Sequence, residues 1–330
     1  MSGKTKIEWA DRVWNPTVGC APVSEGCRNC YAKRMFERFY QSHKFEDVTC
    51  HPERLNIPEK WIKPQRIFVD SMSDLFHEDV PFEYINRVFA VMAATTRHTF
   101  MVLTKRPERM FNYFDWVRHH KHNNPTGLND DWQSSDTWRN IGLILDNVWL
   151  GVSVEDQKTA DERIPLLLQT PAAKRFVSVE PMLGAVDMRR GIYSTSPTLI
   201  QGTSLDGIDW VICGGESGPG ARPMHPYWAG NLRDQCVDAG VPFFFKQWGE
   251  WKPISEMSEE ESDALYQPPL EKYPVATRLC KVPSRPIGID GGEHWNSIGR
   301  DPSFLTFKVG KKKAGQLLDG RVWNEFPGGE

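Results

Sequence analysis

Short apolar runs that alternate with helical segments are the sequence feature that most constrains the fold. Seven such runs occur, rich in β-branched and aromatic residues with little alternation, and most precede a helical segment. That composition is typical of parallel strands buried on both faces. Strand–helix repetition with right-handed crossovers builds either a doubly wound sheet or a barrel. We therefore expect an α/β protein with a TIM-barrel-like fold, either a partial or a complete β/α barrel.

Polar residues follow nearly every apolar run. They are Asp70, Ser71 and Asp74; Thr104 and Lys105; Ser153 and Glu155; Ser178 and Glu180; Glu216 and Ser217; Lys246 and Gln247. In a β/α barrel all of these would meet at the C-terminal rim, where such enzymes have their active sites. Ordinary polarity at strand ends would explain one or two of these groups, but less easily all of them.

Three cysteines follow the first predicted strand, Lys6–Trp9, in the spacing C-x6-C-x2-C: Cys20, Cys27 and Cys30. A helix is predicted after them over 31–40, with Tyr31, Met35, Phe36 and Phe39 on one side. A thiolate-lined loop that enters a helix is a good place to hold a metal, because the helix N-terminus favours negative charge.

Thiolates are soft ligands that select zinc, copper(I) or iron–sulfur clusters. A structural zinc site would need a fourth ligand, which Cys50 or His51 could supply. A [4Fe–4S] cluster normally takes four thiolates, so one held by three would keep an iron open.

Length and composition shape the expected domain organisation. We expect the barrel over 1–250, with a polar surface insertion at 119–140, and a C-terminal extension over 251–330 that packs on the barrel. The rhythm of strands and helices is missing from this last part, which is polar and rich in proline and glycine.

Charge and cysteine usage narrow the function classes. The chain has 40 basic and 43 acidic residues, a net charge of −3, so it is not a polycation built for nucleic acid overall. Its seven cysteines, three of them clustered, favour a reducing compartment over a disulfide scaffold. No stretch approaches the ~18 apolar residues that span a bilayer. We expect a cytoplasmic protein without membrane contact.

A three-cysteine loop after the first strand of a β/α barrel resembles the radical S-adenosylmethionine (radical SAM) superfamily. That superfamily usually has the spacing C-x3-C-x2-C with an aromatic residue before the last cysteine, whereas here the first gap is six and Asn29 precedes Cys30. Nearly the whole chain is also similar to a phage and bacterial family of poorly defined function. The motifs that carry this second likeness are Trp14-Asn15-Pro16, Gly19-Cys20, Cys27 with Cys30-Tyr31, Ser71–His77, Leu103–Pro107, Gly151–Asp156, Glu180-Pro181, Gly214–Gly218 and Phe244–Gly249.

The resemblance implies a mechanism and a set of roles. Cys20, Cys27 and Cys30 would hold a [4Fe–4S] cluster whose fourth iron binds S-adenosylmethionine. Its reductive cleavage would give methionine and a 5′-deoxyadenosyl radical that abstracts a hydrogen atom from the substrate. The implied cofactor-binding residues are Ser71, Ser73, Asp74, Ser153 and Glu155. The implied catalytic residues on the substrate side are Glu180, Glu216 and Lys246.

The resemblance also implies partners. Phage relatives suggest a small-molecule or nucleotide substrate, including a nucleobase of modified DNA or RNA, whose phosphates Lys105, Arg106 and Lys246 could meet. An electron donor such as flavodoxin or ferredoxin would be required.

Two alternatives stay open. One is a zinc-stabilised nucleic-acid-binding protein without radical chemistry. The other is a barrel hydrolase with Glu180 and Glu216 as paired carboxylates, which leaves the cysteines unexplained.

Overall fold

A computed structural model describes residues 3–39, 43–119, 144–189, 203–265, 283–287, 290 and 304–328. The chain divides into two compact units. Unit 1 comprises Met1–Val154, Asp161–Ser178 and Gly191–Asp209, and unit 2 comprises Glu155–Ala160, Val179–Arg190 and Trp210–Glu330. The expected insertion at 119–140 lies, apart from His119, outside the described residues. The expected domain division at residue 250 stays a prediction.

Unit 1 is built from parallel strands joined by helices. Its elements are β1 Gly3–Lys4, β2 Arg12–Trp14, β3 Thr17–Val18, α1 Tyr31–Phe39, β4 Thr49–Cys50, β5 Arg66–Val69, α2 Phe82–Ala94, β6 Thr99–Thr104, α3 Pro107–His119, β7 Val148–Val154, α4 Gln157–Gln169 (whose first residues belong to unit 2) and β8 Lys174–Val179. Short 3-10 turns lie at Glu25–Cys27, Pro52–Arg54 and Pro58–Lys60.

The sheet of unit 1 has the strand order β1-β2-β5-β6-β7-β8. The pairs β2–β5, β5–β6 and β6–β7 are parallel, and only the two-residue β1 runs antiparallel to its neighbour among these registered pairs. The interior of β5 is almost free of solvent contact, which explains its continuous apolar sequence. Helix α2 buries Ile85, Val88, Phe89 and Met92, the spacing of one helix face.

A two-stranded ribbon flanks the cysteine loop. Strands β3 and β4 pair antiparallel, with Thr17 opposite Cys50. Helix α1 confirms the predicted helix, but its buried residues are Ala32 and Phe36, while Phe39 is 60% exposed. The prediction that Phe36 and Phe39 share one face with Tyr31 and Met35 is therefore wrong, because Phe36 packs inward with Phe45 and Met72.

Unit 2 combines a parallel strand pair with an antiparallel C-terminal part. Its elements are β9 Trp210–Gly214, α5 Pro226–Ala239, β10 Phe243–Gln247, β11 Trp251–Pro253, a 3-10 turn Ile254–Glu256, α6 Glu259–Ala264, β12 Ser284–Ile287, β13 Phe304–Lys308, α7 Lys311–Ala314, β14 Leu317–Leu318 and β15 Arg321–Val322. Strands β9 and β10 are parallel, and helix α5 ends at Gly240, which has the left-handed conformation that glycine favours at a helix C-terminus. Strands β11, β13 and β12 form a three-stranded antiparallel sheet.

The C-terminal residues 323–325 run antiparallel along β10. The Phe245 N–H donates to the Trp323 carbonyl (2.8 Å) and the Glu325 N–H to the Phe243 carbonyl (3.2 Å). In unit 1, β1 covers the outer edge of β2 in the same antiparallel way. An edge strand that is already paired cannot accept another parallel strand.

The α/β class with mostly parallel strands is confirmed, whereas a complete barrel is not found. Within the described residues no strand pairing closes a ring. The first strand was also misplaced: Lys6–Trp9 forms no strand, and β2 begins at Arg12. Trp9 is buried in a turn against Phe68 (ring centroids 4.7 Å apart), so its apolar character reflects packing and not a strand. Among the helices described, none has the length and apolar character needed to cross a membrane.

We predict that Gly215→Ala destabilises the protein strongly and that Gly230→Ala does not. A Cβ at Gly215 would lie 2.0 Å from the Trp248 carbonyl oxygen, so backbone must move. At Gly230, within α5, the nearest atom outside the helix backbone is Nη2 of Arg233, 3.8 Å away, and alanine should stabilise the helix by about 0.5–1 kcal/mol. Urea unfolding of both variants measures the difference, and equal midpoints would contradict the close approach.

Candidate functional site

The cysteine loop begins at a position that only glycine fits. Gly19 has φ +102°, and a Cβ there would lie 2.8 Å from the Phe45 carbonyl oxygen. Its N–H donates to the Met72 carbonyl (3.1 Å), and the Cys20 N–H donates to the Phe45 carbonyl (2.9 Å). The backbone of Cys20 is thereby fixed by segments far along the chain.

Cys27 and Cys30 are held by the turn that enters α1. The Cys27 N–H donates to the Ser24 carbonyl (3.0 Å), and the Cys30 N–H donates to the Cys27 carbonyl (3.2 Å). Helix α1 then begins directly after Cys30. Cys20 and Cys30 both pack against one apolar cluster, formed by Ala32, Phe36, Phe45 and Met72.

Asp74, after β5, is the centre of the polar network in this region. Its Oδ1 accepts hydrogen bonds from the Thr104 hydroxyl (2.7 Å) and the Phe76 N–H (3.0 Å). Its Oδ2 accepts from the Lys105 N–H (3.0 Å) and from Nη1 of Arg106 (3.3 Å). With both oxygens occupied, the carboxylate ties the end of β5 to the end of β6.

Arg106 connects this network to the first cysteine. Its Nη1 also donates to Cys20 Sγ (3.4 Å), its Nη2 donates to the Ala21 carbonyl (3.0 Å), and its Nε donates to Glu78 Oε2 (3.1 Å). The residue is only 8% exposed. Arg106 was expected to meet phosphates, but here its donors are directed to the thiol and to neighbouring oxygens.

The three thiols differ in electrostatic environment. Burial raises the pKa of Cys20 to about 12, and Asp74 adds to the increase while Arg106 opposes it. For Cys27 burial also acts upward, but the Lys105 charge and hydrogen bonds from the Val23 and Ser24 region lower the pKa below its usual value. Burial lowers the pKa of Lys105 to about 8, against the opposing influence of Cys27 and Cys30. Cys27 is thus better prepared to ionise than Cys20.

The cysteines share one neighbourhood, but they are not arranged as ligands of a single ion. Cys20 and Cys27 interact electrostatically, and so do Lys105 and both Cys27 and Cys30. Across the described ranges, no three side chains of His, Cys, Asp or Glu are grouped to hold one metal ion. The two residues expected as a fourth zinc ligand have other contacts. Cys50 is paired with Thr17 across the β3–β4 ribbon, and His51 Nδ1 lies 2.9 Å from Glu53 Oε1.

The serines proposed for cofactor binding support the cysteine loop. Ser73 Oγ donates to the Gly19 carbonyl (2.6 Å), and Ser71 Oγ donates to Asn15 Oδ1 (3.1 Å). Ser153 is buried inside β7 and not after it, and its carbonyl accepts from Arg163 (2.6 Å). In unit 2, the buried Glu155 carbonyl accepts from the Leu183 N–H (2.7 Å).

The carboxylates expected on the substrate side lie in unit 2, each against a cation. Lys246 Nζ donates to both oxygens of Glu180, at 2.8 and 3.0 Å. Glu216 accepts from the Arg222 backbone N–H (2.8 Å) and from its guanidinium, at 2.7 and 3.0 Å. The structure therefore pairs these acids with bases, which gives no support to a hydrolase with two facing carboxylates.

Asn15 is a site residue to which the sequence analysis gave no role, and Asp70 was selected there only as one of the polar residues that follow a strand. Asn15 is buried, and its Oδ1 accepts from Ser71 Oγ and from the Met72 N–H. Asp70 ends β5 in a left-handed conformation (φ +57°), and its Oδ1 accepts from the Thr17 N–H (3.0 Å). Asn15 lies in the Trp14-Asn15-Pro16 motif, but nothing in the type or spacing of either residue indicated that it would be buried.

The comparisons with known proteins identify a family and little else. A family model described as "Protein of unknown function (DUF5131)" matches residues 4–327. No curated protein matches the chain. That family description names neither phage nor radical SAM proteins, so the likeness to a phage family stays a prediction.

Solved structures give only remote similarity. Spore photoproduct lyase complexed with dinucleoside spore photoproduct has a TM-score of 0.38 at 12% identity, over 65% of this chain and 58% of that chain. A double mutant of the same lyase with bound AdoMet and dinucleoside spore photoproduct has a TM-score of 0.38 at 11% identity, over 80% and 62%. This chain thus spans less than two thirds of either. Such low scores support no inference about function.

We predict that, in metal-free protein near neutral pH, iodoacetamide alkylates Cys27 at least about ten times faster than Cys20, because the thiolate is the reactive form. Lys105→Met should slow the reaction of Cys27, since it removes the nearby cation. Lys33→Met is the control, since Lys33 lies on α1 and forms an exposed ion pair with Glu46. Peptide mass spectrometry measures each rate, and equal rates for Cys20 and Cys27 would contradict the assigned environments.

We predict that Asp70→Asn removes a pH dependence of stability. Burial raises the pKa of Asp70 to about 8, whereas an unfolded Asp titrates near 3.9. The folded state therefore holds the proton more tightly. Its contribution is complete below about pH 4 and is lost as the pH rises through about 8.

Between these limits the wild-type free energy of unfolding should fall by up to about 1.4 kcal/mol per pH unit from this group, and the variant should lack that slope. Asparagine keeps the acceptor for Thr17 and tolerates positive φ. Urea titrations from about pH 5 to about pH 8, with the exposed Asp238→Asn as control, test this. A variant that keeps the wild-type slope would refute it.

Proposed function

The chain belongs to the DUF5131 family of proteins of unknown function, and we propose from its cysteine site that it is a radical SAM enzyme. Cys20, Cys27 and Cys30 would hold the [4Fe–4S] cluster. The observation that carries the proposal is the association of three free thiols with two cationic side chains, Lys105 and Arg106. Anionic metal–thiolate groups need such compensation when they are partly buried.

The donor set fits a cluster better than a single ion. Thiolates that share one tetrahedral zinc are about 3.8 Å apart, given Zn–S bonds of about 2.3 Å. Cluster thiolates each bind a different iron and can be farther apart. Cys20 and Cys30 pack on one apolar cluster and Cys20 interacts electrostatically with Cys27, so the three thiols share a neighbourhood, as ligands of one cluster must. When bound, a cluster held by three thiolates keeps one iron for S-adenosylmethionine, whose reductive cleavage supplies the hydrogen-abstracting radical.

The chain's own residues would position the thiols and exclude water. Ser73 holds the loop at the Gly19 carbonyl, and Asp74 fixes Arg106 against Cys20. Because Asp74 has four donors on its two oxygens, we propose that it acts by positioning and not by touching the cofactor. The apolar cluster that packs on Cys20 and Cys30 would keep water from their side of the site.

The remaining roles are proposals of the same scheme. Ser71, Ser153 and Glu155 are proposed for S-adenosylmethionine, and Glu180, Glu216 and Lys246 for the substrate side. Among the latter, the Glu180–Lys246 pair is supported best, because both side chains keep some exposure (21% and 15%) while Glu216 is 5% exposed and bound to Arg222.

We propose a small-molecule or nucleotide substrate, which includes a nucleobase of modified DNA or RNA. A donor of the flavodoxin or ferredoxin type would supply the electron. A cytoplasmic location belongs to the proposal, because the six cysteines of the described residues are all free and a reducing compartment keeps them so.

Anaerobic reconstitution with iron and sulfide tests the proposal. The wild type should bind about four iron and about four sulfide per chain and should release 5′-deoxyadenosine from S-adenosylmethionine under reducing conditions. Cys20→Ser, Cys27→Ser and Cys30→Ser should each lose most of the cluster and all of the cleavage. Cys50→Ser is the matched control, since Cys50 is also partly buried and free but lies in the β3–β4 ribbon.

Two results would reject the proposal. One is a colourless wild type with one tightly bound zinc, which would favour the zinc-stabilised alternative. The other is a Cys50→Ser variant that loses as much iron as Cys20→Ser, which would remove the distinction between the three cysteines and the rest.

A further inference from the structure

Two consecutive cations follow β6, and they interact with different members of the cysteine set. Arg106 donates through Nη1 to Cys20 Sγ (3.4 Å). Lys105 interacts electrostatically with Cys27 and Cys30. All three thiols therefore have a cationic neighbour, and both cations come from one dipeptide, here called the Lys105–Arg106 pair.

The position of Arg106 is determined by more than the thiol. Its guanidinium also contacts Asp74 Oδ2 (3.3 Å), Glu78 Oε2 (3.1 Å) and the Ala21 carbonyl (3.0 Å), so three of its nitrogens are engaged. A planar guanidinium with fixed donor directions cannot swing away from one partner without losing the others. Its charge is consequently held at a constant distance from Cys20.

Lys105 is oriented by its backbone. Its N–H donates to Asp74 Oδ2 (3.0 Å), which fixes where the side chain leaves the main chain. Burial lowers the pKa of the Lys105 amine to about 8, and the charges of Cys27 and Cys30 oppose this effect. A substitution of the side chain leaves the backbone hydrogen bond in place, so the charge can be removed with little change to the loop.

We propose that the Lys105–Arg106 pair sets the reduction potential of the iron–sulfur group, with the Arg106 charge held at Cys20 by a hydrogen bond and the Lys105 charge acting on Cys27 and Cys30 from the neighbouring position. The inference rests on the proposed function. In the step concerned, a low-potential flavin or iron–sulfur donor loses one electron and the cluster gains it, and no bond forms or breaks. The reduced cluster carries one more negative charge, so nearby cations stabilise it relative to the oxidised form and raise its potential.

The experiment compares charge-removing with charge-keeping variants in reconstituted holoprotein. Lys105→Met and Arg106→Gln remove a charge, whereas Lys105→Arg and Arg106→Lys keep it. The control is Arg109→Gln on α3, since Arg109 donates to the His77 and Val80 carbonyls and has no thiol among its described hydrogen bonds. Iron and sulfide are assayed first, and then the midpoint potential is measured by redox titration with electron paramagnetic resonance of the reduced cluster.

At the wild-type midpoint, Lys105→Met and Arg106→Gln should lower the ratio of reduced to oxidised cluster by about tenfold or more. Tenfold equals a midpoint about 59 mV more negative for one electron. Both charge-keeping variants and Arg109→Gln should stay within about threefold. This pattern separates an electrostatic role from a structural one, because Arg106→Lys loses the fork of hydrogen bonds and keeps the charge.

Three outcomes would overturn the inference. Fully loaded Lys105→Met and Arg106→Gln could titrate at the wild-type midpoint, which would deny the pair any influence on the potential. Both could fail to bind iron while Arg109→Gln loads normally, which would make the pair a requirement for assembly. A wild type without iron and sulfide would instead refute the proposed function itself, and the inference with it.

Discussion

The Asp74 carboxylate is the interaction on which the cysteine site depends. It accepts from the Thr104 hydroxyl, from two backbone N–H groups and from Arg106, and these partners lie on two neighbouring strand ends. Asp74 and Arg106 are both buried, so water cannot solvate either charge if the other is removed. Breaking a buried pair by removing one partner typically costs about 3–5 kcal/mol. The strand ends and the first cysteine are therefore coupled through this one contact.

Two separate devices position Cys20. Its backbone is fixed through Gly19, whose carbonyl accepts from Ser73 and whose N–H donates to Met72. Its sulfur is fixed through Arg106. The loop itself could not do this, because C-x6-C leaves six residues with little regular structure between Cys20 and Cys27. Residues more than fifty positions away supply the rigidity that a short, irregular loop lacks.

The sequence was sufficient for most strands and helices of the parallel part, because buried strands are continuously apolar and core-facing helices repeat at 3.6 residues. Helix α2 and strands β5 to β8 illustrate this. The prediction from sequence failed where a residue is buried by one contact with a distant part of the chain. Trp9 is apolar because it packs on Phe68, and the inward face of α1 is chosen by Phe45 and Met72. Neither neighbour can be identified from local periodicity.

The sequence predicted which polar side chains lie at the strand ends, but not which partner each of them contacts. Polar residues at strand ends indicated where Asp74, Lys105 and Glu180 would lie. Whether a carboxylate faces a cofactor, a lysine or a backbone N–H depends on the loops that meet there. Asp74 meets donors from β6, and Glu180 meets Lys246. In each case the partner is a residue that the same strand-end pattern had also selected.

Each unit covers one edge of its parallel strands with a short antiparallel segment. The backbone groups of that edge are thereby used within the unit itself. In unit 1, β1 pairs antiparallel with β2. In unit 2, residues 323–325 pair with β10, and the Trp210 indole N–H donates to the Glu325 carbonyl (2.8 Å). Antiparallel segments at an edge satisfy its N–H and C=O groups and prevent further pairing. These short segments carry no period of their own, so the open form of the sheet could be learned only from the folded chain.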